Sequence, residues 1–137
     1  MHAEIIAIGD ELTSGQRLNT NSHWLSDQLG RLGIATHWHT TVGDDLERMV
    51  ASMRTACQRC ELVLVTGGLG PTDDDLTRQA IAELLNVPLQ LDEASLGHIV
   101  SLFQSRGREM PEKNRIQAML PAGSQVIPNP HGTAPGM

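Results

Sequence analysis

Residues 66–77 read TGGLGPTDDDLT and mark the turn around which the rest of the sequence is arranged. They follow four apolar residues at 62–65 and precede apolar residues at helical spacing. A glycine-rich turn between a buried strand and a helix N-terminus exposes backbone N–H groups that suit an anion, usually phosphate. Three consecutive aspartates would repel phosphate. The turn and the carboxylates therefore favour a divalent cation that bridges them.

Strand and helix patterns alternate on both sides of this turn. Strands are predicted at 3–8, 34–42, 61–66, 87–91 and 125–127. Helices are predicted after the cap residues 19–22, after Asp44 and Asp45, after the glycine turn, from Asp92 to near Gly107, and at 112–119. The continuous apolar run at 62–65 suits the interior of a parallel sheet. The alternation predicts an α/β fold with a mostly parallel sheet and helices on both faces.

Composition and charge exclude several classes of partner. The formal net charge is −6, so no general attraction to nucleic acid or anionic lipid is expected. The aromatic residues are only Trp24, Trp38 and Phe103, too few for a base-stacking surface. The N-terminus lacks a basic segment, and no apolar run approaches about 18 residues. The sequence therefore predicts a soluble, cytoplasmic protein without a membrane segment. Cys57 and Cys60 form a lone CxxC at a predicted helix C-terminus, which is weak evidence for zinc or redox chemistry.

The polar, glycine-containing segments follow predicted strands. Ligands of open α/β sheets bind outside the carboxyl ends of the strands, so these segments are expected at one rim. Carboxylates gathered there favour a hard cation, Mg²⁺ or Mn²⁺, or else Co²⁺. The candidate metal ligands are Asp10, Glu11, Asp44, Asp74 and Asp75.

Each of these features also has a purely structural interpretation. Asp44 and Asp45 are suitable helix caps, and Asp73 and Asp74 suit a helix dipole. The segment at 10–11 has the composition of an ordinary turn, and the three glycines suit a tight turn without a ligand. The basic residues are candidates for phosphate contacts, with a solvated surface as the alternative: Arg17, Arg78, Lys113 and Arg115.

Several motifs in order resemble the N-terminal domain of the CinA (competence/damage-inducible) family. They are Gly9-Asp10-Glu11-Leu12, Gly15-Gln16, Asn19-Thr20-Asn21, Val42-Gly43-Asp44, the 66–77 turn, residues 106–110, Asn114-Arg115, Asn129-Pro130 and residues 132–136. The resemblance covers essentially the whole chain. It implies one molybdopterin-binding, MogA/MoaB-like domain over residues 1–137 with a three-layer sandwich fold. Family members continue beyond the point that corresponds to Met137, so we expect a domain truncated at its C-terminal end.

The resemblance also implies an activity and a ligand. CinA-like domains are associated with divalent-metal-dependent hydrolysis of ADP-ribose to AMP and ribose 5-phosphate. The MogA branch usually has threonine and arginine where this chain has Leu69 and Asp74. That difference shifts the site from phosphate pairing toward metal bridging.

The resulting hypothesis is a metal-dependent nucleotide pyrophosphatase. Asp74 and Asp75 are the expected catalytic residues, with the metal held by the carboxylates named above. The expected nucleotide and phosphate contacts are Gly67, Gly68, Gly70, Thr72, Asn114, Arg115, Asn129, Gly132 and Thr133. The alternative is a non-catalytic module that binds molybdopterin or a nucleotide in a regulatory or biosynthetic role. By analogy with the superfamily, a homodimer or homotrimer is expected.

Overall fold

The computed structural model describes all 137 residues. The chain forms two compact units, Met1–Gly68 and Leu69–Met137. None of the helices is long and apolar enough to cross a membrane. The single domain expected over residues 1–137 stays a prediction.

The first unit is built on a parallel three-stranded sheet. Its elements are β1 (His2–Ile8), α1 (Asp10–Thr13), α2 (Thr20–Arg31), β2 (Ala35–Val42), α3 (Leu46–Arg59) and β3 (Leu62–Thr66). The strand order is β2-β1-β3, and both pairings are parallel. The predicted α/β class with a parallel sheet is confirmed.

Each face of this sheet is covered by one helix, because neighbouring side chains of a strand point to opposite faces. Ala3 and Ile5 of β1 form one core cluster with Leu29 of α2. Between them in sequence, Glu4 points the other way and bonds to Arg59 at the end of α3. The first unit therefore has the predicted three layers, helix, sheet and helix.

The sheet interior belongs to β1 rather than to β3. Residues 3–8 of β1 are buried, whereas β3 lies at an edge of the sheet and its residues are half-buried. The prediction that the apolar run at 62–65 lies in the sheet interior is therefore wrong. The chain crosses from β2 past β1 to reach β3, and an apolar run alone does not reveal that order.

Helix α3 begins at a side-chain cap. The Asp45 carboxylate accepts a hydrogen bond from the backbone N–H of Arg48 at 2.9 Å. The helix then buries Met49, Val50 and Met53 on one face. It ends beside the two unpaired cysteines, as the sequence predicts.

Replacement Asp45→Ala is expected to cost about 1 kcal/mol of unfolding free energy, because an orphan N–H loses its acceptor. Asp45→Asn keeps a side-chain oxygen and is expected to change stability by less than about 0.5 kcal/mol. Urea denaturation followed by circular dichroism measures both. Equal losses in the two variants would contradict the cap.

The second unit contains two helices, a 3-10 helix and a short two-stranded sheet. Its elements are α4 (Thr77–Leu85), β4 (Leu89–Leu91), α5 (Glu93–Ser105), the 3-10 helix Glu112–Ala118 and β5 (Met119–Pro121). Strands β4 and β5 pair antiparallel. The edge strand predicted at 87–91 is confirmed as β4, and the short helix predicted at 112–119 is confirmed as the 3-10 helix.

The strand predicted at 125–127 is wrong. The last strand lies earlier, where Met119 pairs with Leu91 and Pro121 with Leu89. Ile127 makes only an isolated antiparallel bridge to Gly136. Pro121 has no N–H for a ladder, so the sequence did not mark this segment as a strand.

Candidate functional site

The parallel sheet has a topological switch point between β1 and β3. From β1 the chain moves to β2 on one side, and it later returns to β3 on the other side. In open α/β sheets, ligands bind in the crevice outside the carboxyl ends of the strands at such a point. Ile8 ends β1, Thr66 ends β3 and Gly67 follows it, and all three residues line a cavity.

This cavity has a volume of about 590 Å³ and lies within the first unit. Its other walls come from the segment that joins β1 to α2 and from the first turn of α2. Small-molecule sites typically measure about 300–1,000 Å³. The size and the position both suit a small-molecule ligand.

The N-terminus of α2 gives the cavity a positive side. Asn19 caps the helix by accepting from the N–H of Ser22 at 3.1 Å, and Asn21 donates to the Thr66 hydroxyl at 3.1 Å. The first turn carries no acidic residue. Arg17 is the only lysine or arginine among the lining residues. The helix end and the guanidinium favour an anionic group.

Two of the predicted metal ligands, Asp10 and Asp44, lie together at the ends of β1 and β2. The N–H of Asp10 donates to Oδ2 of Asp44 at 3.0 Å, and the N–H of Asp44 donates to Oδ1 of Asp10 at 3.0 Å. Glu11 follows in the short helix α1, which replaces the expected turn, and lines the cavity. The first unit therefore brings three of the five predicted carboxylates to the ends of β1 and β2.

The other two predicted ligands, Asp74 and Asp75, lie in the second unit. The Thr72 hydroxyl bonds to both carboxylates, and the Thr72 N–H donates to Oδ2 of Asp75 at 2.9 Å. Burial raises the pKa of Asp75. The bonds from Thr72, a Gly70 backbone bond and the charge of Arg78 outweigh burial and hold that pKa below its usual value. Asp75 is thus held as a carboxylate by donors of its own turn.

The sequence predicts that Gly67, Gly68 and Gly70 lie at a helix N-terminus, but the structure does not place them there. Helix α4 begins at Thr77, seven residues after Gly70, and its cap position, Leu76, has no side-chain bond. Leu69 and Gly70 give their carbonyl oxygens to Arg78. Phosphate binding by the 67–70 segment and Thr72 stays a prediction.

Arg78 is neither a surface residue nor placed for a phosphate in this structure. Its side chain is 0% exposed, and its two terminal nitrogens donate to the Leu69 and Gly70 carbonyls at 2.7 Å each. Both interpretations drawn from the sequence are therefore wrong. Arg78 is the second residue of α4, and nothing in the sequence around it indicates that it is buried.

The remaining predicted contacts are spread over the second unit. Asn114 is buried and donates to Gln117 at 3.0 Å, whereas Arg115 is exposed. Asn129 donates to the Ala134 carbonyl and, with Thr133, lines a second cavity of about 460 Å³. Gly132 packs against the Asn129 side chain. Their roles in binding stay predictions.

No group of three or more His, Cys, Asp or Glu side chains is arranged to hold a metal ion by itself. The predicted five-carboxylate set is divided between the two units, with Asp10, Glu11 and Asp44 in the first and Asp74 and Asp75 in the second. The metal therefore stays a prediction, and its best-placed pair is Asp10 with Asp44.

Sequence reasoning did not select the residues that give the switch-point cavity its polar walls. Asn21, Thr66 and Gln16 line it, yet none was among the predicted contacts. Asn21 and Gln16 belong to motifs that carry the family resemblance. That signal, combined with the strand order, would have found them.

The fold and the cavity define an α/β protein with a candidate small-molecule site at the switch point of a parallel sheet. Residues 4–137 match the family described as "Probable molybdopterin binding domain". The chain belongs to that family.

Its similarity to CinA-like proteins is high. A CinA-like protein from Gloeothece citriformis is 48% identical over 137 residues, which is 100% of this chain and 33% of that protein. Another from Dictyoglomus thermophilum is 49% identical, with the same shares of both chains. The chain thus spans about a third of the length of the curated relatives it matches.

Solved structures give the same result. The CinA protein from Thermoplasma acidophilum is similar with a TM-score of 0.89 and 32% identity, covering 98% of this chain and 79% of that chain. The molybdopterin biosynthesis enzyme MoaB from Thermus thermophilus has a TM-score of 0.59 and 20% identity, covering 88% and 78%. The second similarity shows the shared fold. The expected CinA-type family and MogA/MoaB-like fold are confirmed.

Proposed function

We propose that this chain is a divalent-metal-dependent pyrophosphatase that hydrolyses ADP-ribose-type substrates to AMP and a sugar phosphate. The observation that carries the proposal is the cavity between the carboxyl ends of β1 and β3. It joins a switch-point position, a helix N-terminus and one guanidinium, a combination suited to a phosphorylated ligand. The family description, "Probable molybdopterin binding domain", also supports a small-molecule ligand.

The donor set at the ends of β1 and β2 fits a hard cation. Mg²⁺ is usually held by one or two carboxylates together with substrate phosphate oxygens and water. Asp10 and Asp44 supply such a pair, already brought together by their reciprocal backbone bonds. A bound divalent ion would polarise the phosphoryl group and lower the pKa of its water.

The chain's own residues would then bind and orient the substrate. Arg17 and the N–H groups at the start of α2 would pair with phosphate oxygens, and Asn21, fixed by Thr66, would hold its amide toward the cavity. Glu11 lines the same cavity and would be a candidate to accept a proton from the attacking water. Asp74 and Asp75 lie in the second unit, and their catalytic role stays a prediction from the sequence.

The direct test is incubation of ADP-ribose with Mg²⁺, Mn²⁺ or Co²⁺, followed by chromatographic detection of AMP. It is run on residues 1–137 and on a protein of the relatives' full length. We expect metal-dependent AMP release that EDTA abolishes. No AMP from either protein with any metal would refute the hydrolase proposal.

Replacement Arg17→Gln is expected to raise KM for ADP-ribose about tenfold with a smaller effect on kcat, because a charge-assisted phosphate contact is lost. Arg31→Gln is the matched control, since Arg31 is exposed and pairs only with Asp27 on the same helix. Equal KM values in both variants would remove Arg17 from the site. In the same assay, wild-type turnover by Asp75→Asn would remove Asp75 from the catalytic residues.

A binding module without catalysis is the second candidate. It is favoured by the carboxylates themselves, because Asp10, Asp44 and Asp75 all accept hydrogen bonds from backbone N–H groups. Carboxylates used in this way stabilise loops. Calorimetry with ADP-ribose, AMP and a pterin that shows binding without turnover would support the module and not the enzyme.

A further inference from the structure

Arg78 is the most unusual buried side chain in the second unit. Arginine is almost never fully buried unless it is paired with an acid. Here the side chain is 0% exposed, and none of the ion pairs within 4.0 Å involves it. Burial lowers the pKa of its guanidinium, and the charge of Asp75 only partly opposes that effect. Its Nε is buried without a hydrogen-bond partner. Such an arrangement requires a compensating interaction.

The compensation comes from the turn that precedes α4. The Nη1 and Nη2 groups of Arg78 donate to the consecutive carbonyls of Leu69 and Gly70, both at 2.7 Å. The Leu69 carbonyl also faces the amide of Gln117 at 3.4 Å, and Gln117 accepts from Asn114 at 3.0 Å. Buried donors on two elements therefore hold one side of the turn.

Arg78 binds the carbonyl acceptors of this turn, and Asp75 binds its hydrogen-bond donors. Its carboxylate accepts the N–H and the hydroxyl of Thr72. The Gly70 backbone approaches so closely that a Cβ there would lie under 3.0 Å from the Asp75 carboxylate. The carbonyls of the turn bond to the Arg78 guanidinium, and its donors bond to the Asp75 carboxylate. The turn is therefore held by two side chains of opposite charge that are three residues apart in sequence.

We propose that Arg78 is a positioning residue that fixes residues 69–75 through the Leu69 and Gly70 carbonyls and thereby places the Asp75 carboxylate. Its effect on turnover rests on the proposed function, whereas its effect on the turn does not. A fork of two N–H donors is needed, because lysine presents a point charge that cannot reach two carbonyls with the same geometry.

The test compares Arg78→Met, Arg78→Lys and the control Arg106→Met, which alters an exposed arginine at the end of α5. Amide hydrogen exchange is followed by NMR at Thr72 and Asp75 and, as a measure of unit stability, at Ala82 and Leu84 of α4. We expect exchange at Thr72 and Asp75 to accelerate about tenfold or more in Arg78→Met, with α4 amides changed by less than about threefold. Arg78→Lys is expected to fall between wild type and Arg78→Met, and Arg106→Met to match wild type.

Two exchange results would overturn the proposal. One is unchanged exchange at Thr72 and Asp75, and the other is equal acceleration of the turn and of α4, which would mean a loss of folding alone. If Arg78→Met unfolds the second unit, Arg78→Lys decides between the same outcomes.

In an active protein, kcat for ADP-ribose is expected to fall at least about tenfold in Arg78→Met with KM changed much less, and to recover in part in Arg78→Lys. Unchanged kcat together with a loosened turn would also overturn the positioning role. If wild type releases no AMP, the pyrophosphatase proposal fails, and the exchange comparison alone decides the role of Arg78.

Discussion

Gly67→Ala is expected to lower the unfolding free energy of the chain by at least about 3 kcal/mol, one of the two largest effects predicted for a single substitution. Gly67 has a φ of 101°, which disfavours any residue with a Cβ. That Cβ would also lie under 3.0 Å from the carbonyl oxygen of Ile8, a backbone atom that cannot move away alone. The substitution would separate the ends of β1 and β3 and open the cavity between them.

Gly15→Ala isolates the conformational part of this loss. Gly15 has a φ of 77°, but a Cβ there meets no atom within 4 Å. A loss of about 1 kcal/mol is expected from the backbone conformation alone. Urea titrations of both variants measure the difference. Equal losses would show that the close approach of Gly67 to Ile8 is not rigid.

Glu4→Gln is expected to cost about 2 kcal/mol, the second large effect. The Glu4 side chain is 0% exposed and accepts two bonds from Arg59 at 2.7 Å each and one from Thr40 at 2.6 Å. Breaking a fully buried pair typically costs about 3–5 kcal/mol. The expected loss is smaller because Arg59, whose side chain is 36% exposed, keeps access to water. At a typical urea m-value the midpoint falls by about 1 M.

The same carboxylate predicts how stability depends on pH. The bonds from Arg59 and Thr40 outweigh burial and hold the pKa of Glu4 below its ordinary value of 4.5. Its contribution is therefore complete above pH 4.5 and is lost as the pH falls through the lower, folded-state pKa. Wild type and Glu4→Gln are expected to converge in stability over that acid range.

Glu61→Gln is the matched control for both measurements. Glu61 is an exposed carboxylate that pairs with His2 near the same end of the sheet. It is expected to change stability far less than Glu4→Gln does. A stability difference between wild type and Glu4→Gln that persists unchanged at about pH 2 would contradict the proposed charge pairing.

Most elements of the first unit could be predicted because local pattern determines them. Strands predicted at 3–8 and 34–42 are observed at His2–Ile8 and Ala35–Val42. The apolar period of α3 predicts a buried face that holds for Met49 to Ala56, whereas Cys57 at the same spacing is exposed. The lateral order of the strands could not be predicted, since it depends on where each crossover returns to the sheet. The sequence therefore predicted β3 in the interior of the sheet, whereas β1 is the central strand in the structure.

The candidate site was predictable in part for the same reason. Asp10 and Asp44 follow neighbouring strands, so their proximity could be expected from the sequence alone. The burial of Glu4 and Arg78 could not, because each depends on partners distant in sequence or on the path of a loop. The polar residues at 16–21 gain their importance only from the switch point, which the strand order defines.

The central position of β1 has a consequence for how the chain is made. Strand β1 leaves the ribosome before β2 and β3, so its register partners, which begin at Ala35 on one side and Leu62 on the other, emerge only later. Until then an isoleucine-rich segment remains without a neighbour on either edge. Such unpaired apolar strands are prone to associate with other chains. During translation, the most protected strand of the finished sheet is therefore the one exposed for longest.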